Sequence, residues 1–303
     1  CATDLPVCGF LRPQTRPILA SPRHGEAIVS RFVLITGCSS GIGYHAARRL
    51  QEEGFSVIAS ARRPQDVARL QAEGLTAIQL DLADSTSIQT AVQQTLEICG
   101  GHLYGLFNNG AYGQPGALED LPTAALRAQF ESNFFGWHEL TRALLPSMLA
   151  ANEGRIIQNS SVLGLVAMKY RGAYNASKFA IEGYTDTLRL ELRGTGVQIS
   201  LIEPGPIASQ FRANALAALR QHIDLEHSRH APVYQQTLSR LEKVVPGNRF
   251  TLPPEACIPP LLHALNARRA RPRYQVTTPS KWMNLLRGWL PTRLLDALVA
   301  KSA

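Results

Sequence analysis

The sequence predicts an α/β protein in which a single parallel sheet carries helices on both faces. Between Arg31 and Gly205, apolar β-branched runs alternate with segments of helical spacing, and this alternation is typical of βαβ units. The apolar runs are almost continuous, as expected for strands that are covered on both sides. Right-handed crossovers between such strands give a doubly wound sheet, and a glycine-rich turn follows the first strand.

Each element follows from its local pattern. The strand-like runs are "RFVLIT", "SVIASA", "TAIQLDL", "LYGLFNN", "GRIIQNSS" and "VQISLIEPG", with "RYQVTT" at residues 273–278 as a last strand. The helical segments are "GYHAARRLQEEG", "PQDVARLQAEG", "DSTSIQTAVQQTLEICG", "PTAALRAQFESNFFGWHELTRALLPSMLA" and "GAYNASKFAIEGYTDTLRLELRG". Gly54 ends the first helix, either Asp84 or Ser85 caps the third, and a proline opens the long fourth helix.

Composition and charge narrow the class of protein. The 303 residues are 45% hydrophobic and 18% charged, with a net charge of +8, which suits nucleic acid, an acidic membrane surface or a phosphate-bearing cofactor. The densest basic cluster, "ARRARPR" at 267–273, has no interleaved aromatic residues and no nucleic-acid motif beside it. We therefore expect a solvated basic surface there and no nucleic-acid partner. Five cysteines without a Cys-x-x-Cys pattern indicate a reducing compartment, the cytoplasm.

The two ends of the chain differ from its middle. Residues 1–28 contain four prolines in the first 22 positions, with neither strand or helix periodicity nor the continuous apolar region of a signal peptide. We expect an N-terminal extension there, either disordered or upstream sequence included by a misplaced start, and one domain at 29–303. Within that domain we expect residues 206–250 to form substrate-binding helices. Residues 279–303 form an apolar and basic amphipathic tail, which either makes a weak membrane-surface contact or packs as a lid or oligomer contact.

The glycine-rich turn "TGCSSGIG", Thr36–Gly43, lies between the first strand and the first helix. Gly37, Gly41 and Gly43 allow a tight turn and close backbone approach, and the helix N-terminus then presents free N–H groups to a pyrophosphate. The spacing G-x-x-x-G-x-G differs from the common G-x-G-x-x-G. The turn favours nucleotide binding over an ordinary connection between a strand and a helix.

The end of the second strand predicts which nucleotide binds. An acidic residue at this place bonds the adenosine ribose hydroxyls in sheets of this type, whereas a nearby arginine accepts a 2′-phosphate. This chain has Ala61 followed by Arg62 and Arg63. Because the carboxylate is absent and a guanidinium suits phosphate geometry, the strand end predicts NADP(H).

A tyrosine and a lysine in "AYNASKFAIEG" share one helix face. Tyr174 and Lys178 are four residues apart, so their side chains project together. A free tyrosine has a pKa of about 10, and a neighbouring ammonium can lower it by about 1–3 units. The pair is therefore a candidate general acid/base, and we expect the pKa of Tyr174 to be lowered. The adjacent residues leave open whether Tyr170 or Tyr174, and Ser160 or Ser161, carries the chemistry.

Several motifs occur together in a fixed order along the chain. They are "TGCSSGIG", "NNGA", Asn133, Ser161, "YNASK" and "PGPIAS". Over residues 31 to about 278 they resemble the short-chain dehydrogenase/reductase family, which implies a Rossmann-like fold. The longer stretches "NFFG" and "SLIEPGPI" are most similar to bacterial YbbO-type NADP-dependent aldehyde reductases, and also to 17β-hydroxysteroid and retinol dehydrogenases.

The resemblance implies roles for four residues. The family's catalytic serine precedes its tyrosine by thirteen residues, which selects Ser161 and Tyr174. Tyr174 would donate a proton to the carbonyl oxygen, and Ser161 would hydrogen-bond that oxygen as its charge develops. Lys178 would bind the nicotinamide ribose and tune Tyr174, and Asn133 would hold a water that links Lys178 to solvent.

The resemblance also implies a cofactor-binding set. Its members are Gly37, Ser39, Ser40, Gly41, Ile42, Gly43, Arg62, Asp81, Asn108, Tyr174, Lys178, Pro204, Ile207 and Ser209. Asp81 would contact adenine, and Ile207 and Ser209 would meet the nicotinamide carboxamide. Two positions depart from the family pattern: Gly110 and Ala111 stand in reversed order, and Ser209 replaces the usual threonine but keeps the hydroxyl.

The expected function is NADPH-dependent reduction of an apolar aldehyde or ketone. The alternatives are oxidation of a hydroxysteroid or retinol-like alcohol and a non-catalytic NADPH-sensing protein. The resemblance implies a homodimer or homotetramer. We expect no metal site, because His222, His227 and His230 are spaced so that they do not converge on one helix face, and no cysteine or paired acid joins them.

Overall fold

The computed structural model describes residues 31–242 and 250–300, and within these ranges the chain forms one parallel sheet. Seven strands lie in the order β3-β2-β1-β4-β5-β6-β7, with every neighbouring pair parallel. The strands are β1 Phe32–Ile35, β2 Ser56–Ala61, β3 Thr76–Gln79, β4 Leu103–Asn108, β5 Gly154–Asn159, β6 Val197–Glu203 and β7 Arg273–Gln275. The predicted α/β class is confirmed. The predictions for residues 1–28 lie outside the described residues.

The helices cover both faces of this sheet. They are α1 Gly41–Glu52, α2 Pro64–Ala72, α3 Ser85–Ile98, α4 Thr123–Phe130, α5 Gly136–Ala150, α6 Gly172–Glu191, α7 Phe211–His222, α8 Ala231–Glu242, α9 Ile258–Asn266, α10 Thr278–Trp289 and α11 Thr292–Ala300. Successive strand residues point to opposite faces, so Val33 and Ile35 pack with α1 and α9, whereas Leu34 packs with α3 and α5. Because each strand is buried from both sides, its sequence is apolar throughout.

The helix boundaries refine the sequence prediction at three places. Asp84, rather than Ser85, caps α3, since its carboxylate accepts hydrogen bonds from the backbone N–H groups of Thr86 and Ser87. The long fourth helix is not uniform: a π-helical turn at Glu131–Phe135 separates α4 from α5. The sequence prediction omitted α9, whose two prolines obscured an otherwise regular apolar spacing.

The strand order reverses between β1 and β4, and this reversal places the cleft. The chain runs outward from β1 to β3 on one side and from β4 to β7 on the other. Connections therefore leave β1 and β4 in opposite directions, which opens a crevice at their carboxyl ends where ligands of such sheets bind. The backbone N–H of Thr36 donates to the Phe107 carbonyl oxygen at 3.0 Å, which holds the two strand ends side by side.

The segment after β6 supplies the wall of the crevice and the tail. Within the predicted substrate-binding region, the described residues form α7 and α8, and α10 and α11 form the tail. Trp282, Leu285 and Trp289 are exposed on α10, with Trp289 at 81%. In the described ranges, no helix combines the length and the apolar character that crossing a membrane requires.

Substitution of Gly136 tests how α5 is held against the sheet. A Cβ atom built on Gly136 would clash severely with the carbonyl oxygen of Leu82. Because this oxygen belongs to the backbone, it cannot move away easily. We expect Gly136→Ala to lower the free energy of unfolding by about 1–3 kcal/mol, as overpacking does in a close-packed interior.

Gly183→Ala is the matched control, because a Cβ atom there meets nothing within 4 Å and the residue lies inside α6. We expect it to raise the free energy of unfolding by about 1 kcal/mol through helix propensity. Urea denaturation followed by circular dichroism measures both. Equal effects of the two changes would contradict the close contact of α5 with Leu82.

Candidate active site

The turn after β1 is shaped by two close backbone approaches. Gly37 has φ +72° and Gly41 has φ +57°, a backbone region that glycine adopts without strain. A Cβ atom on Gly37 would lie 2.6 Å from the Cα atom of Gly110, and one on Gly43 would collide with the carbonyl oxygen of Gly37. The predicted glycine turn is therefore a compact cradle whose floor is bare backbone.

The N-terminus of α1 opens into this cradle with its backbone donors available. Ser40 is the N-cap residue, but its side chain makes no capping hydrogen bond, and the first turn of α1 contains no acidic residue. The free N–H groups and the positive end of the helix dipole favour an anion at this position. The geometry suits a pyrophosphate.

Two asparagines tie the ends of β1, β4 and β5 together. The Asn109 side chain donates to the carbonyl oxygen of Thr36 at 2.9 Å and accepts a hydrogen bond from Asn159 Nδ2 at 2.8 Å. Asn108, by contrast, is fully buried and donates to Thr141 on α5 at 3.1 Å. The Asn108 side chain thus lies away from the cleft, and Asn109 shapes its floor.

Ser161 and Tyr174 meet at the mouth of the crevice. Ser161 caps a short 3₁₀ turn after β5, where its Oγ accepts from the backbone N–H of Leu163 at 3.1 Å. The Ser161 side chain acts on the Tyr174 hydroxyl and works to lower its pKa. Both residues are buried, at 8% and 9% exposure, so each hydroxyl is held in a site with little water.

Tyr170 and Ser160 occupy other surroundings. Tyr170 adopts φ +59°, and its ring packs on His230 and Tyr234, with centroid separations of 5.4 and 6.4 Å. Ser160 lies beneath the turn, where a Cβ atom on Gly164 would approach its Oγ at 2.7 Å. Of the four possible pairs, the structure thus brings together Ser161 and Tyr174.

Lys178 lies below Tyr174 and is almost fully buried. Its Nζ donates to the carbonyl oxygen of Asn159 at 2.7 Å and lies 4.4 Å from the ring centroid of Trp137. Trp137 is in turn held by a hydrogen bond from its Nε1 to the carbonyl oxygen of Gly110 at 2.9 Å. The amine is thereby anchored to the same strand ends that form the cradle.

Asn133 sits in the π-helical turn with its carboxamide bonded to one backbone unit. Its Oδ1 accepts from the N–H of Tyr112 at 3.2 Å and its Nδ2 donates to the carbonyl oxygen of Tyr112 at 2.9 Å. Nδ2 also lies 3.4 Å from Ser177 Oγ. These contacts fix the loop after β4 against α6, one residue from Lys178.

The family follows from the combination of this geometry with the sequence. Residues 31–220 match the model of the family described as short chain dehydrogenase, which covers the glycine cradle, Ser161, Tyr174 and Lys178. The chain belongs to the short-chain dehydrogenase family. It is therefore an oxidoreductase that uses a nicotinamide cofactor.

Relatives in this family support the same conclusion. The chain is 40% identical over 274 residues to the oxidoreductase YbbO of Escherichia coli strain K12, covering 90% of this chain and 95% of YbbO. It is 38% identical over 201 residues to human retinol dehydrogenase 8, covering 63% of each protein. It is 31% identical over 281 residues to the NADPH-dependent 3-dehydrocapnine reductase of Ornithobacterium rhinotracheale, covering 89% and 96%.

The fold agrees with a solved member of the family. A short-chain dehydrogenase/reductase from Burkholderia phymatum in complex with NAD superposes with a TM-score of 0.73 at 25% identity, covering 89% of this chain and 95% of that one. The Rossmann-like prediction is confirmed by this likeness and by the sheet order.

Two of the other predicted cofactor-binding residues lie in the loops after β2 and β3. Ala61 ends β2, and Arg62 and Arg63 are exposed just beyond it. The Arg62 charge acts to lower the pKa of Tyr112, which lies in the loop after β4. Asp81 accepts from the N–H of Ala83 at 3.0 Å, which places it in the loop after β3.

The loop after β6 closes over the cradle. The carbonyl oxygen of Pro204 accepts from the N–H of Val162 at 2.8 Å, next to Ser161. Ile207 pairs with Leu252 in a single parallel bridge, and a Cβ atom on Gly41 would lie 2.9 Å from Ser209 Cβ. The glycine turn, Ser161 and the loop therefore meet across one crevice, and the residues present fit a dinucleotide.

Burial, rather than the neighbouring lysine, controls the ionisation of Tyr174. Desolvation raises the pKa of Tyr174 to about 12, although the Ser161 hydrogen bond and the Arg171 charge act to lower it. Desolvation likewise lowers the pKa of Lys178 to about 7, against the opposing charge of Glu182. The expected lowering of the Tyr174 pKa is wrong, because a buried amine that is itself driven toward neutrality stabilises tyrosinate weakly.

The basic cluster at 267–273 is only partly solvated. Arg273 pairs with Glu182 at 3.0 Å, Asp186 at 2.9 Å and Glu203 at 3.1 Å. Glu203 is fully buried, and its burial raises its pKa to about 7. Arg273 thus joins the end of the sheet to α6 one turn beyond Lys178, whereas Arg268 and Arg269 are exposed.

The three histidines considered as metal ligands have separate partners. His222 Nδ1 bonds Gln114 Oε1 at 2.8 Å, His227 pairs with Asp224 at 3.0 Å, and His230 pairs with Glu119 at 2.6 Å. Across residues 31–242 and 250–300, no group of three or more potential ligands is arranged to hold a metal ion.

Sequence reasoning missed several residues of the site. Asn109, Asn159 and Trp137 position the predicted groups, and Phe211 packs on the Tyr174 ring at a centroid separation of 5.3 Å. The two asparagines stand at the ends of predicted strands, a location that indicates a role at the crevice. No sequence pattern marked Trp137 or Phe211 as part of the site, because their contacts are with segments that are distant in the sequence.

Because Lys178 is desolvated, we expect that replacing it will raise stability and remove activity. The unfolded chain keeps this lysine protonated up to its ordinary pKa of 10.5, whereas the folded pKa is about 7. Between pH 7 and pH 10.5 the unfolded state binds more protons than the folded state. Burial of Lys178 therefore costs no stability above pH 10.5, and this cost grows as the pH falls toward 7. We expect Lys178→Met to raise the melting temperature at pH 7.5, by less at pH 10, and to abolish turnover.

Lys169→Met is the control, because Lys169 is exposed and its replacement removes the same charge from the surface. We expect little change in melting temperature at either pH. Thermal denaturation at the two pH values measures both variants. A fall in melting temperature of Lys178→Met at pH 7.5 would contradict the desolvation argument.

Proposed function

We propose that the protein reduces an apolar aldehyde or ketone to the alcohol with NADPH. The observation that carries this proposal is the buried Tyr174 hydroxyl, on whose pKa Ser161 acts and which lies beside an anchored lysine. With a pKa of about 12, Tyr174 keeps its proton at neutral pH. Reduction needs a proton donor at this point, so the protonated phenol is the form that the reaction uses.

Each residue of the site has a distinct part in this chemistry. NADPH supplies a hydride to the carbonyl carbon when it is bound. Tyr174 donates its proton to the carbonyl oxygen, and Ser161 hydrogen-bonds that oxygen while negative charge develops on it. Lys178 binds the nicotinamide ribose. Asn133 holds Tyr112 and Ser177 in place, and through them it steadies the helix that carries Tyr174 and Lys178.

The preference for NADPH is supported by the end of β2. Ala61 offers no carboxylate to a ribose 2′-hydroxyl, and no described acidic side chain forms an ion pair with Arg62. An exposed guanidinium that pairs with no acid in the described part of the chain is available for a 2′-phosphate. The similarity to an NADPH-dependent reductase from Ornithobacterium rhinotracheale points the same way.

The substrate's apolar character is supported by the surroundings of Tyr174. The Phe211 ring stands edge-on to the Tyr174 ring, and a Cβ atom on Gly113 would lie 2.6 Å from the Phe211 ring. The proton donor is thus flanked by aromatic surface and tightly packed backbone. Such surroundings favour an apolar group next to the carbonyl.

The reverse reaction is a second candidate because of the similarity to retinol dehydrogenase 8. Oxidation of a retinol-like alcohol or hydroxysteroid needs Tyr174 as a base, and a pKa of about 12 leaves little tyrosinate at neutral pH. An NADPH sensor would not require Ser161, Tyr174 and Lys178 in one site. Reduction is therefore the direction that we propose.

The proposal also covers the cellular compartment and the oligomeric state. Cys38, Cys99 and Cys257 are free thiols in the described residues, in keeping with the reducing cytoplasm expected from the sequence. A homodimer or homotetramer stays a prediction from the family resemblance.

The proton-donor role is tested with two tyrosines of the same helix region. We expect Tyr174→Phe to lower kcat for aldehyde reduction by about a hundredfold to ten-thousandfold, the usual size of a general-acid contribution. NADPH binding, followed by cofactor fluorescence, should change little because the ring remains. Tyr170→Phe, whose ring packs on His230 and Tyr234 instead, should keep kcat within a few-fold. Turnover retained by Tyr174→Phe would rule out Tyr174 as the acid.

The cofactor assignment is tested at the end of β2. One charge-assisted contact contributes about 1.5–3 kcal/mol, so we expect the wild type to prefer NADPH over NADH by roughly tenfold to a hundredfold in kcat/KM. The Ala61→Asp, Arg62→Ala double variant should swing toward NADH, since it gains the carboxylate and loses the cation. Arg63→Ala is the control for loss of one charge and should keep the NADPH preference. Equal use of both cofactors by the wild type would contradict the assignment.

A further inference from the structure

Exposed apolar side chains are concentrated on the tail that α10 and α11 form. The described part of the chain exposes twelve large hydrophobic side chains, and five of them lie in these two short helices. The five are Trp282, Leu285, Trp289, Leu294 and Leu298. Single apolar residues on a protein surface are common, but a group of this kind indicates an interaction surface.

Three of these side chains form a continuous stripe along α10. Trp282, Leu285 and Trp289 have the spacing i, i+3 and i+7, which places them on one face of the helix. Ser280 lies on the opposite face and is buried. The three exposed residues, which we call the tryptophan stripe, therefore point away from the rest of the protein.

Contacts on its inner side hold α10 against the active-site end of the sheet. Thr277 caps the helix by accepting from the N–H of Ser280 at 3.3 Å, and a Cβ atom on Gly205 would collide with Thr277 Oγ1. The helix also contacts the 3₁₀ turn after β5. Near its other end, the Arg287 guanidinium lies 5.6 Å from the centroid of the Phe179 ring on α6. The tryptophan stripe is thus displayed on a helix that is fixed beside the crevice.

The charged residues of the tail are mainly basic. Lys281, Arg287 and Arg293 are exposed, and Asp296 is the one acidic residue of α10 and α11. Three cations and one anion leave these two helices with a net charge of +2. Lys281 directly precedes Trp282 and so flanks the tryptophan stripe. The tail therefore combines exposed apolar side chains with an excess of positive charge.

This combination is complementary to an anionic membrane surface. An amphipathic helix binds in the plane of such a surface, where its apolar face enters the acyl boundary and its cations meet the lipid phosphates. Tryptophan is enriched at the same depth. A second copy of the chain fits less well, because a symmetric dimer places the same patch against itself and would bring the cations of one tail to those of the other.

We propose that α10 and α11 dock the protein on an anionic lipid surface. The tryptophan stripe inserts into the headgroup region, and Lys281 and Arg293 lie at the lipid phosphates. Because Thr277, at the start of α10, packs on Gly205 in the loop over the crevice, docking brings the entrance of the crevice close to the bilayer. An apolar substrate dissolved in the lipid then has a short path to the site. Docking itself requires neither cofactor nor turnover, so the inference goes beyond the proposed reaction.

Tryptophan fluorescence reports docking directly. The chain has three tryptophans and Trp137 is fully buried, so a change in emission on adding vesicles comes from Trp282 and Trp289. We expect a blue shift and co-sedimentation with vesicles of equimolar phosphatidylcholine and phosphatidylglycerol. Partitioning onto them should exceed that onto pure phosphatidylcholine by about tenfold or more, and about 1 M NaCl should remove the difference. No blue shift with the anionic vesicles, or equal partitioning onto both kinds, would overturn the proposal.

Matched surface variants locate the effect on the tail. Leu285 on α10 and Leu190 on α6 are 53% and 54% exposed, so Leu190→Gln is the control for Leu285→Gln. We expect Leu285→Gln to weaken partitioning by about tenfold and Leu190→Gln to leave it unchanged. The Lys281→Gln, Arg293→Gln double variant, whose tail has no net charge, should bind anionic vesicles about as weakly as neutral ones. Equal losses in the two leucine variants, or no loss in the double variant, would contradict docking through the tail.

Sedimentation velocity without lipid tests a second copy as the occupant of the stripe. We expect the Trp282→Gln, Trp289→Gln double variant to have the same oligomeric state as the wild type. Dissociation of a wild-type oligomer by these two changes would show that another subunit covers the tryptophan stripe, and would overturn the proposal. NADPH oxidation with a water-soluble aldehyde should be equal in the wild type and Leu285→Gln, and an absence of turnover in both, with vesicle binding intact, would contradict the reductase proposal alone.

Discussion

The hydrogen bond between the side chains of Asn109 and Asn159 is the constraint on which the site depends. It joins the ends of β4 and β5, and Asn109 continues to the backbone of Thr36 at the end of β1. The glycine cradle, the Ser161 turn and the acceptor of Lys178 all start from these three strand ends. If the strand ends separated, the phosphate end and the reacting end of the crevice would lose their fixed relation.

The buried amine of Lys178 shows that the active site is arranged for its chemistry at a cost in stability. Lys178 is held in an apolar setting under Tyr174 and above the Trp137 ring, where its charge is disfavoured. One helical turn further, Arg273 pairs with three carboxylates, so charge is neutralised on that side of Lys178. The active site is an electrostatically strained region on a well-packed sheet, as is common where function and stability compete.

The fold was predictable because its signals are local. Nearly continuous apolar strands, the glycine turn and the Asp84 cap each depend on a few neighbouring residues. The pair Tyr174 and Lys178 was visible for the same reason, since i and i+4 share a helix face. The residues themselves did not decide between Tyr170 and Tyr174. The positive φ of Tyr170 and its ring contacts distinguish the two, and those contacts are with His230 and Tyr234, about sixty residues further along the chain.

The electrostatics of the site could not be predicted in the same way. The sequence suggested that Lys178 lowers the pKa of Tyr174, because proximity on a helix was the only information available. Desolvation, which depends on everything packed around the two groups, has the larger effect and reverses the direction. Arg273 was likewise predicted to lie on a solvated basic surface. It pairs instead with three acids of α6 and β6. Asn108, which was predicted to bind the cofactor, instead bonds Thr141 on α5, and its neighbour Asn109 lies at the cleft, because neighbouring strand residues face opposite sides of the sheet.

The π-helical turn around Asn133 has a consequence for how this stretch of chain tolerates change in length. A π-turn accommodates one more residue than an α-helix over the same rise, so it resembles a single-residue insertion that the helix has absorbed. Side chains after it are rotated by about 100° relative to an uninterrupted helix. That rotation lets α5 present Trp137 and Leu140 to the core while Asn133 faces the loop after β4. Removing one residue between Glu131 and Phe135 would restore a regular helix and turn one of these two faces away from its partner.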